Sequence, residues 1–157
     1  MNKVVLIGYS GHAFVAIDIL ELNGYGLAGY CDNEEKKLNP FSLNYLGKEK
    51  ELLEGGKIDL SDTAFFIGIG ENSIRRKVFE FLQSKNARII NTIHPRSIVA
   101  NKIELGSGIL IAANATINPL CQIGNGIICN TSSSIDHECI IGDFSHICPG
   151  TVLCGNV

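Results

Sequence analysis

Counting in sixes from Ile93 meets Val99, Leu105, Ile111, Ile117, Ile123, Cys129, Ile135, Ile141, Ile147 and Leu153. Every position is aliphatic except Cys129, and a thiol packs like a small apolar group. The residue that follows is small or turn-prone through most of the run: Ala100, Gly106, Ala112, Asn118, Gly124, Asn130, Asp136 and Gly142. Four places after each aliphatic residue come Ser97, Ala115, Cys121, Ser133, Cys139, Ser145 and Thr151, with isoleucine at 103, 109 and 127. Such a rhythm matches neither the helical period of about 3.6 nor the strand period of about 2. It predicts a parallel β-helix in which each hexapeptide makes one flat face and its turn, and three faces close a coil. Aliphatic side chains then stack in columns inside a narrow prism, where a charge would be buried without a partner.

The residues before the repeat follow another pattern. Lys3–Gly8 is a continuous apolar run entering Gly8-Tyr9-Ser10-Gly11-His12, as a buried parallel strand enters a glycine turn. Phe14, Ile17, Ile19, Leu20 and Leu22 recur at helical spacing over 13–23 until Asn23-Gly24 stops them. Leu27–Cys31 reads as a second strand with Asp32-Asn33 at its carboxyl end, and 34–56 as a charged, weakly periodic stretch. A third strand over 64–69 ends in Gly70-Glu71-Asn72, a helix covers 73–84, and a fourth strand covers 88–91. Alternating strands and helices predict an α/β Rossmann-like parallel sheet, with ligands gathering beyond the carboxyl ends of its strands. The expected division is residues 1–92 for this sheet and 93–157 for the all-β helix.

Composition excludes several functions. The 157 residues carry 13 Lys and Arg against 16 Asp and Glu, without Trp, and the basic cluster Arg75-Arg76-Lys77 is too small to bind nucleic acid or an anionic membrane non-specifically. No apolar run approaches a membrane span of about 20 residues, and the apolar start is too short for a signal peptide. The expected location is therefore cytoplasmic, with the six cysteines (31, 121, 129, 139, 148 and 154) reduced. None forms a C-x-x-C pair, so no structural metal is expected. Gly8-x-Ser10-x-x-Ala13 with Asp32 downstream is a degraded dinucleotide fingerprint, but an NAD-dependent oxidoreductase would leave the repeat unexplained.

Taken together, G-x-S-G-H after the first strand, Asp32-Asn33 after the second, the I-G-x-G-E-N segment ending at Asn72, and N-T-S-S-S-I-D-H-E-C-I-I-G-D-F-S-H over 130–146 resemble the hexapeptide-repeat sugar acyltransferases. These have a left-handed β-helix. The likeness covers essentially the whole chain and is greatest to the UDP-4-amino-sugar N-acetyltransferases of the bacillosamine pathway and the related sialic-acid and perosamine acetyltransferases. The resemblance implies transfer of acetyl from acetyl-CoA, a co-substrate, to the amine of a nucleotide-linked sugar, without a metal. It implies a homotrimer with active sites shared between neighbours. His137 becomes the catalytic base and Glu138 the group that tunes it. Ser10, Gly11, His12, Asp32, Asn33 and Gly70 become nucleotide-sugar contacts, and His146 a contact to acetyl-CoA.

The chemistry is consistent with that assignment. Attack of an amine on a thioester needs a base that accepts a proton near neutral pH, which suits histidine, and a neighbouring carboxylate stabilises the imidazolium. His137 lies two places after Ile135 and is expected inward or at a corner, where a histidine hydrogen-bonded to the next coil would read the same. A covalent route through Cys139 is a rival. The repeat stops in mid-pattern at Gly155-Asn156-Val157, where the resembling proteins continue, and the prism is expected to be truncated. O-acetylation of a sugar such as sialic acid, or a non-catalytic nucleotide-sugar binding module, remain alternatives.

Overall fold

A computed structural model describes residues 3–56 and 58–157; Met1 and Asn2 of the expected first domain, and Lys57, lie outside them. Strands β1 (Lys3–Ile7), β2 (Gly26–Cys31), β3 (Thr63–Ile67) and β4 (Arg88–Ile89) form one parallel sheet in the order β2-β1-β3-β4. Helix α1 (Gly11–Leu22) covers one face, and α3 (Asn72–Ser84), with the short α2 (Glu49–Glu54), covers the other. The expected elements are present with shifted ends. Helix α1 starts two residues earlier than expected because Ser10 is already an extended cap residue. The fourth strand is shorter because Asn91 leaves the sheet: its amide donates to Gly106 O (2.9 Å) and accepts from Ile109 N (2.9 Å), tying the sheet to the first coil. The stretch 34–56 is more ordered than its periodicity predicts. Residues 44–46 run beside β2 through Tyr30 N to Asn44 O and Leu46 N to Tyr30 O, and α2 escapes a periodicity search because it buries only Leu52.

From Thr92 onward the chain winds in parallel coils. Its strands are β5 (Thr92–Ile93), β6 (Ile98–Val99), β7 (Glu104–Leu105), β8 (Leu110–Ile111), β9 (Thr116–Ile117), β10 (Gln122–Ile123), β11 (Ile128–Cys129), β12 (Ser134–Ile135), β13 (Ile140–Ile141), β14 (His146–Ile147) and β15 (Val152–Leu153). They pair as three ladders, which are the faces of a prism: β5-β8-β11-β14, β6-β9-β12-β15 and β7-β10-β13. Residues 18 apart therefore stack, as Val99, Ile117, Ile135 and Leu153 do. The columns form an apolar core in which Ile109, Ile111, Cys121, Ile127, Cys129, Ile135 and Cys139 are wholly buried. Each such aliphatic side chain contributes roughly 1.5–3 kcal/mol by leaving water. Cys31, Cys121, Cys129 and Cys139 are buried as small hydrophobes, but Cys148 and Cys154 are exposed, because they fall one place after a column residue, where the chain leaves the core for a corner.

The corners have their own sixfold rhythm. Gly108, Asn114, Leu120, Gly126, Ser132, Glu138, Phe144, Gly150 and Asn156 all have positive φ, so the left-handed residue lies three places after the column residue. Leu120, Glu138 and Phe144 adopt it at a cost of about 1–2 kcal/mol each.

One face of the prism is covered. Leu110 and Ile128 point outward from β8 and β11 and pack with Leu6, Tyr9, Ala13, Ala16 and Leu20 of the sheet and α1. The adjoining corner, with Gly126 and Phe144, meets α3: Phe144 lies edge-on to Phe79 at 5.4 Å, and the Arg76 guanidinium covers its ring at 4.8 Å. Arg75 locks this seam. Its side chain is 1% exposed, and all five donors are engaged. Nε donates to Gly126 O (2.6 Å), and Nη1 to Ile69 O (3.1 Å) and Gly70 O (2.8 Å); Nη2 donates to Asn72 Oδ1 (2.8 Å) and Phe144 O (2.8 Å). Lysine has three donors at a point rather than five in a planar fork. Arg75→Lys is therefore expected to leave seam carbonyls without donors and lower stability by roughly 2–4 kcal/mol, measured by urea denaturation. The same exchange at the exposed Arg88 should change little.

Candidate active site

The first cluster of candidate residues lies where β1, β2 and β3 end. Ser10 caps α1 without a side-chain hydrogen bond, and no acidic residue lies in the first turn. The N–H groups of that turn and the positive end of the helix are left to an anion. Helix α3 begins at the same edge but is closed: the Glu71 carboxylate accepts from Ser73 N (3.2 Å) and Ile74 N (2.6 Å). These bonds, with one from the Ser73 hydroxyl, hold Glu71 below the usual carboxylate range.

Gly70 makes room for His12, since a Cβ there would lie 2.6 Å from the ring's Nδ1. His146, on β14, meets His12 edge-on with ring centres 5.1 Å apart. Asn130 lies one coil before Cys148 and directly beside this pair. Its carbonyl oxygen accepts from Thr131 N (2.8 Å), so its amide donates to His146 Nε2 (3.0 Å), and the His146 proton sits on Nδ1. His12 Nε2 is buried without a hydrogen-bond partner among the described residues. Burial, and then the positive charge of Arg75, push the His12 pKa below its ordinary value. Burial, and then His12 and Arg75, do the same for His146.

Asp32 binds the chain itself. Its carboxylate accepts from Tyr9 N (3.0 Å) and Asn33 N (2.7 Å) and pairs with Lys36 Nζ (3.1 Å), fixing the first turn against the end of β2. The Asn33 side chain is exposed beside it.

The second cluster lies at the corner between β12 and β13. Asn118, one coil earlier, donates to Asp136 Oδ1 (2.9 Å), which also accepts from His137 N (2.8 Å). Those two bonds, the His137 N–H first, hold Asp136 below the usual carboxylate range. The left-handed backbone at Glu138 (φ 60°) folds its carboxylate back to 3.0 Å from His137 Nδ1. A carboxylate only accepts, so Nδ1 carries the proton and Nε2 presents a lone pair. One coil further on, a Cβ at Gly155 would lie 2.7 Å from Nε2. Only glycine leaves that approach open. Cys139, by contrast, is sealed inside the prism with its thiol donating to Cys154 O (3.2 Å), which removes it as a nucleophile.

Ser10, Gly11, His12, Asp32, Asn33, Gly70 and His146 thus gather at the seam, and His137 with Glu138 stands apart. Their corner is opposite the face that the sheet and α1 cover. A six-residue face at about 3.3 Å per residue spans at most roughly 20 Å, so the clusters of one chain are separated by the prism's width. His146 lies half a coil from His137, beside His12. Arg75, Asn118, Asn130 and Gly155 escape a reading of local motifs. Adding or subtracting 18 from His137 and Asp136 would have found Gly155 and Asn118.

The sequence profile of the PglD N-terminal domain matches residues 3–82. The chain belongs to this family. It is 32% identical over 93 residues to GDP-perosamine N-acetyltransferase of Escherichia coli O157:H7, spanning 59% of this chain and 42% of that protein. It is 30% identical over 114 residues to UDP-N-acetylbacillosamine N-acetyltransferase of Bacillus subtilis (strain 168), spanning 72% of this chain and 52% of the relative. The chain thus spans about half the length of the curated relatives it matches. Among solved structures, a histidine-to-asparagine mutant of perosamine N-acetyltransferase from Caulobacter crescentus, in complex with CoA and GDP-perosamine, superposes over 99% of this chain and 73% of its own. Its TM-score is 0.90 at 27% identity. The acetyltransferase domain of PglB from Neisseria gonorrhoeae FA1090, in complex with acetyl coenzyme A, covers 96% of this chain and 72% of its own, with TM-score 0.87 and 25% identity. The fold is that of these enzymes, a Rossmann-like sheet followed by a left-handed parallel β-helix.

The histidine pair makes the seam sensitive to acid. Both pKa values are depressed in the folded chain, so below about pH 6.5 the unfolded chain binds protons that the folded chain does not. Stability is therefore expected to be full above that pH and to fall as the pH drops toward the folded pKa values. Melting temperatures from pH 7.5 to 5 should decline, and the His12→Gln/His146→Gln double variant should flatten that slope.

Proposed function

We propose that this chain is an acetyl-CoA-dependent N-acetyltransferase acting on the amino group of a nucleotide-linked sugar, with His137 as general base. The observation that carries the reading is the His137–Glu138 pair: an imidazole fixed in one tautomer by a carboxylate, its Nε2 open above the bare backbone of Gly155. Residues 1–92 hold the nucleotide sugar, and 93–157 carry the acyl transfer. The diphosphate binds the open first turn of α1 at Ser10, Gly11 and His12, with Asp32, Asn33 and Gly70 shaping the site and the orphaned His12 Nε2 meeting the ligand. His146 contacts the acetyl donor from the same seam.

His137 Nε2 takes a proton from the sugar amine as its nitrogen bonds to the thioester carbonyl carbon. Glu138 stabilises the imidazolium that results. The C–S bond then breaks, and His137 returns its proton to the departing thiolate. No atom of the base is consumed, and no covalent acyl-enzyme forms. No group of three or more His, Cys, Asp and Glu able to hold a metal ion occurs among the described residues.

The width of the prism supports a shared site. One chain's His137 faces away from its own seam, so the seam must be served by the corner of a neighbour, as in a homotrimer. Ile98, Ile140 and Val152, exposed on the two uncovered faces, suit such packing. A cytoplasmic location is in keeping with six unpaired cysteines.

In a thiol-release assay with acetyl-CoA and nucleotide-linked 4-amino sugars, His137→Ala is expected to lower kcat about 10²–10⁴-fold, with thermal stability nearly unchanged because the residue is exposed. Retention of wild-type kcat would remove the assignment. Sedimentation should find three chains per particle.

A further inference from the structure

The curated relatives differ in the nucleotide their names carry, one GDP and the other UDP, so the choice of base is open. A small cleft at the carboxyl ends of β1 and β2 is lined by Gly8, Cys31, Asp32, Asn33 and Glu49, with Ile69, Ile74 and Val78 opposite. It adjoins the first turn of α1 through Gly8. Its volume of about 90 Å³ admits the edge of a ring, while Ile74, 49% exposed, offers an apolar surface to the ring's face.

The polar side of the cleft has one carboxylate available. Asp32 is engaged by Tyr9 N, Asn33 N and Lys36. Glu49 has no hydrogen-bond or ion-pair partner among the described residues. Its charge reaches the cleft floor: after burial, Glu49 and then Asp32 help push the Cys31 thiol up to about 12. The neighbouring Asn33 side-chain amide is likewise without a partner among the described residues.

We propose that Glu49 is a specificity-determining residue that selects a guanine nucleotide over a uracil nucleotide. Two carboxylate oxygens accept together from the adjacent N1–H and N2–H of guanine, and the Asn33 amide, lining the same cleft, donates to O6. Uracil presents a single N–H flanked by two carbonyl oxygens. One oxygen of Glu49 would accept from it and the other would face a carbonyl, two acceptors with no proton between them. A bidentate pair of this kind is expected to discriminate by about tenfold or more. The inference rests on the nucleotide-sugar reading above and deepens it.

Titration calorimetry of the full chain with GDP and with UDP tests it. GDP is expected to bind at least about tenfold more tightly, and Glu49→Gln, a half-buried surface change that leaves the core intact, should bring the two affinities within about threefold, chiefly by weakening GDP. Equal affinities, tighter UDP, or a preference that survives Glu49→Gln would overturn the role of Glu49 while leaving nucleotide binding in place. Binding of neither nucleotide would overturn the nucleotide-sugar reading and this inference with it.

Discussion

The relation between the two halves of this protein depends on a buried guanidinium. Arg75 reaches from α3 to the carbonyls of Gly126 and Phe144 in the prism and to Ile69, Gly70 and Asn72 in its own half. It has no carboxylate partner among the described residues. Its charge is stabilised by four backbone carbonyls and one side-chain amide, and burial still pulls its pKa below the ordinary value. Such a group is costly to bury unless every donor is matched, which makes the seam geometrically demanding: a small slip would leave several polar groups unpaired at once. The same charge adds to burial in disfavouring protonation of His12 and His146, so one residue sets the registration of the halves and contributes to the neutral state of the histidines between them.

That registration decides where chemistry is possible. The sheet and α1 cover the β5-β8-β11-β14 face, so the cluster around Ser10 and His12 opens on one side of the prism while His137 projects from the corner opposite. A rigid column of stacked isoleucines separates them and cannot yield without losing its packing. The separation turns assembly into a requirement of the proposed reaction rather than an accompaniment to it.

Much of the architecture was legible in the residues. The sixfold column from Ile93 to Leu153 predicts the prism because its period is incompatible with other regular structure, and Asp136-His137-Glu138 stands out as charge in an otherwise bland repeat. The covered face was also written there, as the outward residues Leu110 and Ile128 spaced 18 apart, yet it is easily missed when counting in sixes because each outward residue sits directly beside a column isoleucine. Helix α2 was hidden, since a single buried leucine makes no pattern. Arg75 stands in the sequence only as part of the basic cluster Arg75-Arg76-Lys77; nothing local distinguishes a guanidinium that will meet carbonyls some 50 and 70 residues away.

The sequence by itself determined the coil and the chemistry that each residue type can perform, because the side-chain period and the intrinsic acidity of imidazole and carboxylate are local properties. Tertiary structure decided which of those groups meet. Stacking at 18-residue intervals put the bare backbone of Gly155 against His137, and the Arg75 seam brought His146 to His12 and carried both away from His137. Those pairings arise from the closing of three faces and the docking of a sheet on one of them, distances that no local pattern of residues encodes.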